Sequence, residues 1–213
     1  MTLVYEDAIR NGEYEKALQL IFEAVEEEPD EEVHYINGGS LLHRIGRDEE
    51  AEKFLQKAIT LNGASTSAYY TLAGLYFDNE RYEEAIRLYL IAYSRNPEDP
   101  DLNFMLALSY THIDDKRRAV QFYEVAHKEK PEDTDITFQY GLLCCQLSLY
   151  KQADILLSEV IEKEPHADAC YNLGLVMLMM YDDKKEAVRL FKEAVNIQAS
   201  HHLAQNALQK LEG

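Results

Sequence analysis

The sequence predicts an all-α chain, a right-handed α-α superhelix of six helix-turn-helix repeats closed by a C-terminal capping helix. Three observations predict it. Small residues recur every 34 positions along the 213-residue chain. A helix-ending residue, most often proline, closes each period. The last thirteen residues form an amphipathic segment that the period does not need.

The columns fix the register. Ala17, Ala51, Ala85, Ala119, Ala153 and Ala187 form one, and Ala24, Ala58, Ala92, Ala126, Val160 and Ala194 form a second, seven residues on. In the first helix of each repeat stand Gly39, Ala73, Ala107, Gly141 and Gly174. Pro29, Gly63, Pro97, Pro131, Pro165 and Ala199 close the units. Two helices cross closely only where side chains are small, so these columns mark the crossings. Proline lacks an N–H and disfavours helix in the residue before it, so it stops the second helix of each pair.

The whole chain, 1–213, is expected to form one solenoid. Its repeats run 1–31 (shortened, with Met1 already in its first helix), 32–65, 66–99, 100–133, 134–166 and 167–200. The fullest copy is Thr66 to Asp99. In the fourth repeat Asp99-Pro100 reads as an N-cap followed by a first-turn proline. The fifth repeat is one residue short at Pro165-His166, and the sixth carries one extra in its inter-helix turn, around Asp182-Asp183. Residues 201–213 make the capping helix, with Leu203, Ala204, Ala207, Leu208 and Leu211 as its apolar stripe. A stack leaves an apolar end unless a half-polar helix covers it. His201 and His202 are expected in the exposed first turn of that helix.

The 34-residue spacing, the small-residue and proline columns, and the phrase YNLG from Tyr171 to Gly174 resemble the tetratricopeptide repeat (TPR). The family's usual tryptophan is absent; Tyr35, Tyr69, Asn103, Thr137 and Cys170 stand at its position. The chain is similar to short bacterial proteins built only of such repeats. The resemblance implies a TPR solenoid whose concave side, lined by the first helix of each pair, binds protein partners.

Charge excludes several classes of function. Against 39 acidic residues stand 21 Lys and Arg, a net charge of -18. Nucleic-acid backbones and anionic membranes both require clustered basic residues, so neither is expected as partner. Residues 1–31 alone carry -8, densest from Glu23 to Glu32, which reads as a solvated outer face or an acidic docking patch. The N-terminus has no basic start followed by an apolar core, and no apolar run approaches a membrane span. Cys144, Cys145 and Cys170 form no framework of even count, so reduced thiols and a cytoplasmic location are expected.

No residue set points to chemistry. The chain lacks a glycine-rich phosphate loop and a Gly-x-Ser-x-Gly elbow. Cys170, His166, His201 and His202 lack the paired spacing of a metal site. The expectation is no catalytic residue, no cofactor and no metal.

The candidate binding residues follow from period 3.6. Tyr70, Gly74 and Phe77 of the third repeat lie opposite its second helix. Transposed by the repeat, that stripe gives Ile36, Ser40 and His43, then Phe104, Leu108 and Thr111, then Phe138, Leu142 and Cys145, then Tyr171, Leu175 and Leu178. One column is aromatic or apolar throughout; beside it Leu108, Leu142 and Leu175 form an apolar row of the kind that marks a partner site. The aromatic column has a second reading, as padding between helices. Asp101, Asp135 and Asp168 would fringe the row with negative charge, and Asn37 and Asn172 could bond a ligand backbone. The expected ligand is a protein segment, extended or helical, with apolar anchors and some basic residues. The points where chaperone-tail-binding repeats carry Lys and Arg hold Ile36 or Thr2, Asp101 or Asp135, and Met105, so a carboxylate clamp is not expected. The resulting function is a non-enzymatic adaptor or scaffold. The alternatives are a self-assembling structural solenoid and a client-holding chaperone of an assembly or export pathway.

Overall fold

A computed structural model describes residues 3–212 as thirteen helices. Met1, expected in the first helix, and Thr2 lie outside the described residues. The helices group into two compact units, Met1–Pro97 and Glu98–Gly213.

The first unit holds α1 (Glu6–Arg10), α2 (Tyr14–Glu27), α3 (Glu32–Arg44), α4 (Asp48–Leu61), α5 (Thr66–Asp78) and α6 (Tyr82–Tyr93). The second holds α7 (Pro100–His112), α8 (Lys116–Glu129), α9 (Thr134–Gln146), α10 (Tyr150–Lys163), α11 (Ala167–Tyr181), α12 (Lys184–Ile197) and α13 (His202–Glu212). Every first helix packs on the second helix of its own repeat, and successive repeats stack within each unit.

The small-residue columns sit where helices cross. Ala17, Ala51 and Ala85 of the first unit, and Ala119, Ala153 and Ala187 of the second, are wholly buried. At Gly39 an added Cβ would lie 2.5 Å from Leu55 Cγ, and at Gly174 it would lie 2.6 Å from Phe191 Cε1. These contacts explain why glycine persists there: the opposing side chain already fills the space a methyl would need.

Caps delimit the first helices. Ser65 accepts from the Ala68 N–H, Asp99 from Leu102, and Asp133 from Ile136, each using an N–H that has no partner within the helix. Pro100 occupies the first turn of α7. His166 caps α11, its Nδ1 accepting from the Ala169 N–H.

The turn between paired helices contains a further column that composition hides. Gly12, Gly46, Glu80, Asp114, Ser148 and Asp182, each 34 residues from the next, all have positive φ, from 51° to 79°. Glycine takes this left-handed conformation freely, whereas the other four residues adopt it against steric cost. The last member also locates the extra residue of the sixth repeat. It is absorbed by α11, which is 15 residues long against 13 in α9, and the turn after it is reduced to residues 182–183.

One interrepeat contact of the first unit is set by charge. His43, at the end of α3, places Nδ1 2.7 Å from Asp48 Oδ1 and Nε2 2.9 Å from Asp78 Oδ2. Burial opposes charging the ring, but hydrogen bonds to Asp78 and Asp48 outweigh it, and the pKa is raised above 6.5. A raised folded-state pKa stabilises fully below the unfolded value and loses that contribution as pH rises through the folded one. His43→Gln is therefore expected to cost up to about 1 kcal/mol near pH 5.5 and much less near pH 9. Melting curves of both proteins at the two pH values check this; an equal penalty at both would remove the charged pair from the account.

Candidate functional site on the inner helix faces

The candidate residues are positioned by the first helices of the repeats, and each unit has its own set.

In the first unit, the Asn37 amide is already engaged, donating to Tyr5 Oη at 3.1 Å. Tyr5 in turn lies 2.8 Å from His34 Nδ1, so this network ties α1's entrance to α3. Tyr70 and Phe77 are half-buried on α5. The Tyr70 ring meets Tyr89 at 5.5 Å, and Phe77 meets Tyr82 at 5.4 Å.

In the second unit, the aromatic column supports the helix pairs. Phe104 packs on Tyr123 at 6.0 Å, Phe138 on His166 at 4.2 Å, and Tyr171 on Phe191 at 5.6 Å. The padding role is thus present at each of these rings. Phe138 is buried, whereas Phe104 and Tyr171 remain half-buried. Leu108, Leu142 and Leu175, at equivalent points of α7, α9 and α11, are each half-buried. They differ from the buried leucines one to two residues away, Leu106, Leu143 and Leu173.

Two members of the acidic fringe have partners. Asp101 pairs with Lys130 Nζ at 3.0 Å, and Asp168 lies 3.1 Å from His201 Nε2. Asp135 is exposed at the start of α9. Asn172 donates to the Asp168 carbonyl at 2.8 Å, a bond within its own helix.

His201 corrects the expectation of an exposed pair. Only His202 is exposed; His201 is buried, accepts the Ala204 N–H at Nδ1, and meets the Tyr171 ring at 5.2 Å in a tilted arrangement. The histidine therefore caps α13 and couples it to α11. An imidazole at an N-cap can accept as asparagine does, a use that the residue pair alone does not reveal.

Tyr171, Leu175 and Leu178 come together with α13 around a cavity of about 320 Å³. Its other lining residues are Leu203, Asn206, Ala207, Lys210 and Leu211. Ala204, Ala207, Leu208 and Leu211 pack on the end of the stack. Leu203, expected in that stripe, is 59% exposed and stands at the cavity instead. A capping role alone does not account for this wall; its sequence signal is Leu203 itself, one turn ahead of polar Asn206 and two turns ahead of Lys210.

The site offers no reactive group from its cysteines. Cys144 and Cys170 are buried, and burial pushes Cys144 up to about 12 and raises Cys145 and Cys170 as well. A thiol held protonated is a poor nucleophile and metal ligand. Among the described residues, no group of three or more His, Cys, Asp or Glu is placed to hold a metal ion. Among them too, no helix is long and apolar enough to cross a membrane.

Comparison with known proteins is consistent across sequence and structure. The family profile of the tetratricopeptide repeat matches residues 2–141. The chain is 31% identical over 92 residues to the TPR repeat-containing protein YpiA of Bacillus subtilis (strain 168), covering 43% of this chain and 22% of that protein. The match thus spans about a fifth of that relative's length. Among solved structures it resembles YrrB, a TPR protein with an unusual peptide-binding site, with a TM-score of 0.80 at 28% identity, over 89% of this chain and 97% of that one. Pseudomonas aeruginosa pilF shares the fold, with a TM-score of 0.83 at 15% identity, over 97% of this chain and 94% of that one.

Proposed function

The chain belongs to the tetratricopeptide-repeat family, and from that premise we propose that it is a non-enzymatic adaptor holding a segment of a partner protein on its inner helix faces. The observation that carries this reading is the row Leu108, Leu142 and Leu175. Three first helices repeat a half-buried leucine at one register position, beside neighbours that are fully buried. Apolar side chains left partly in water at regular intervals gain free energy when a partner covers them. YrrB, a TPR protein with an unusual peptide-binding site, shares the fold over most of both chains and supports this reading.

The partner's chemistry follows from the surface. Leucine-sized anchors fit the row and the cavity beside α13, and the net charge of -18 favours a segment with some Lys or Arg. Asp101, Asp135 and Asp168 are all exposed at the starts of these helices, Asp101 beside Lys130 and Asp168 beside His201, and add local negative charge. The proposed compartment is the bacterial cytoplasm, in keeping with three unbridged cysteines.

Leu108→Glu combined with Leu142→Glu places two charges where the partner would bury leucines. A partner captured from native cytosol by the wild-type chain is expected to bind this variant at least about tenfold more weakly, a loss of 1.4 kcal/mol or more. Unchanged binding would sink the assignment of the row. Light scattering across a concentration range separates the self-assembling alternative, which requires association without a partner. A peptide array separates a client-holding chaperone, which accepts many sequences.

A further inference from the structure

We propose that the turns between paired helices form a docking surface for a second copy of this chain: the acidic column Glu15, Glu49 and Glu83 of one copy meets the basic column Arg117, Lys151 and Lys185 of the other. This surface uses none of the inner-face residues, so it stands apart from the adaptor reading and is compatible with it.

The six residues share one register position. Each is 34 residues from the next, and each is the second residue of its repeat's second helix. All six are exposed. The sign changes once, between the two compact units: the first unit has only Glu at this position, the second only Arg or Lys. The turns around them follow the same division. Residues 12–16, 46–50 and 80–84 carry net charges of -1, -2 and -2, whereas 114–118 and 148–152 carry +1 each. Around Lys185 the acids Asp182, Asp183 and Glu186 reverse the balance, so Arg117 and Lys151 are the centre of the basic column.

Helix formation accounts for the acidic half only. A helix N-terminus carries partial positive charge, which favours Glu and disfavours Arg or Lys. The first turns of α8 and α10 contain no acid, and Arg117 and Lys151 stand there against the local field. Internal pairing does not account for either half. Neighbouring charges pair along their helices, Lys16 with Glu13, Arg47 with Glu50, Arg81 with Glu84 and Arg118 with Asp115. Among the described residues, none of the six column residues makes an ion pair.

Shape and apolar area accompany the charge. Glu15, Arg117 and Lys151 each line an open hollow, of about 450, 380 and 490 Å³ respectively. Leu149, 47% exposed, lines the hollow of Lys151, and Ile45, 36% exposed, lies in the turn ahead of Glu49. Exposed ion pairs are individually weak, so apolar contact beside them supplies part of the hold. A second copy suits the basic column better than another acidic partner does, because both columns take their spacing from the same repeat.

Sedimentation equilibrium of the full chain at low salt, over a wide concentration range, tests this. The wild type is expected to associate, and to do so at least about tenfold more weakly at about 0.5 M salt, where exposed charges are screened within a few ångströms. Arg117→Glu with Lys151→Glu sets acid against acid and weakens association at least about tenfold. Glu49→Lys with Glu83→Lys does the same from the other side. Mixed together, the two variants regain association, because each supplies the sign that the other has lost. Both remain acidic overall, so attraction by net charge does not produce that recovery. The Arg117→Glu, Lys151→Glu variant keeps or raises Tm, since it puts acids at helix N-termini, and its loss of association is therefore not unfolding. A wild type that stays monomeric, variants that associate as the wild type does, or a mixture that stays apart overturns the proposal. Association that survives both reversals belongs to another face. The leucine row keeps its own test, since none of these variants touches it.

Discussion

Phe191→Ala is expected to lower the stability of the second unit by about 3–5 kcal/mol, the range for deleting a fully buried aromatic ring. Phe191 has no exposed surface and belongs to the core formed by Cys170, Ala187, Ala194 and Ala204. Its ring fills the hollow left by Gly174 and supports Tyr171 at 5.6 Å. The loss therefore reaches the candidate site, since Tyr171 lines the cavity shared with α13. Urea unfolding followed by circular dichroism measures it; a penalty below about 1 kcal/mol would mean that the unit collapses around the void far better than cores usually do. The partner position sharpens the test. Gly174→Ala alone is expected to cost about 1–3 kcal/mol, because its methyl has no room beside the ring. In the Phe191→Ala background that methyl enters an empty space, so the two changes should couple strongly rather than add. Additive penalties would show that Gly174 is kept for a reason other than this contact.

How much of this was legible in the sequence depends on what each residue's role requires. The crossings were legible because they depend on size, and Gly39, Ala85 or Ala119 can be small at one register only for packing. The register also relates the half-buried leucines Leu108, Leu142 and Leu175, since the repeat period transposes a helix face unchanged. The left-handed turn column was hidden because Glu80, Asp114, Ser148 and Asp182 do not look like Gly12 and Gly46; they share a backbone angle and no chemistry. His201 was misplaced because polarity suggested exposure, whereas a hydrogen bond on each ring nitrogen lets it be buried. Tyr89 and Tyr123 are the same residue in the same column. Only the three-dimensional neighbours, Phe77 in one repeat and Thr111 in the other, separate them.

Tyr123→Ala is expected to cost about 3–5 kcal/mol, comparable to the loss of Phe191. The ring is 1% exposed and joins two repeats. It stacks nearly parallel on Tyr140 of α9, with centroids 5.9 Å apart and 6° between planes, and it meets Phe104 of α7 at 6.0 Å. Alanine removes the contact between α8 and α9 and the support beneath a candidate binding residue together. Denaturant unfolding reads the first effect, and peptide or partner affinity in the surviving folded fraction reads the second. Tyr123→Phe isolates the hydroxyl. It keeps the ring and breaks the bond to Thr111, so a loss of about 0.5–1.5 kcal/mol is expected. The same substitution at Tyr89 is expected to gain stability, because there the hydroxyl has no partner to lose. Opposite signs at two equivalent positions are difficult to obtain from ring packing, which both variants preserve. Equal signs would mean that some other acceptor, an ordered water among them, already satisfies Tyr89.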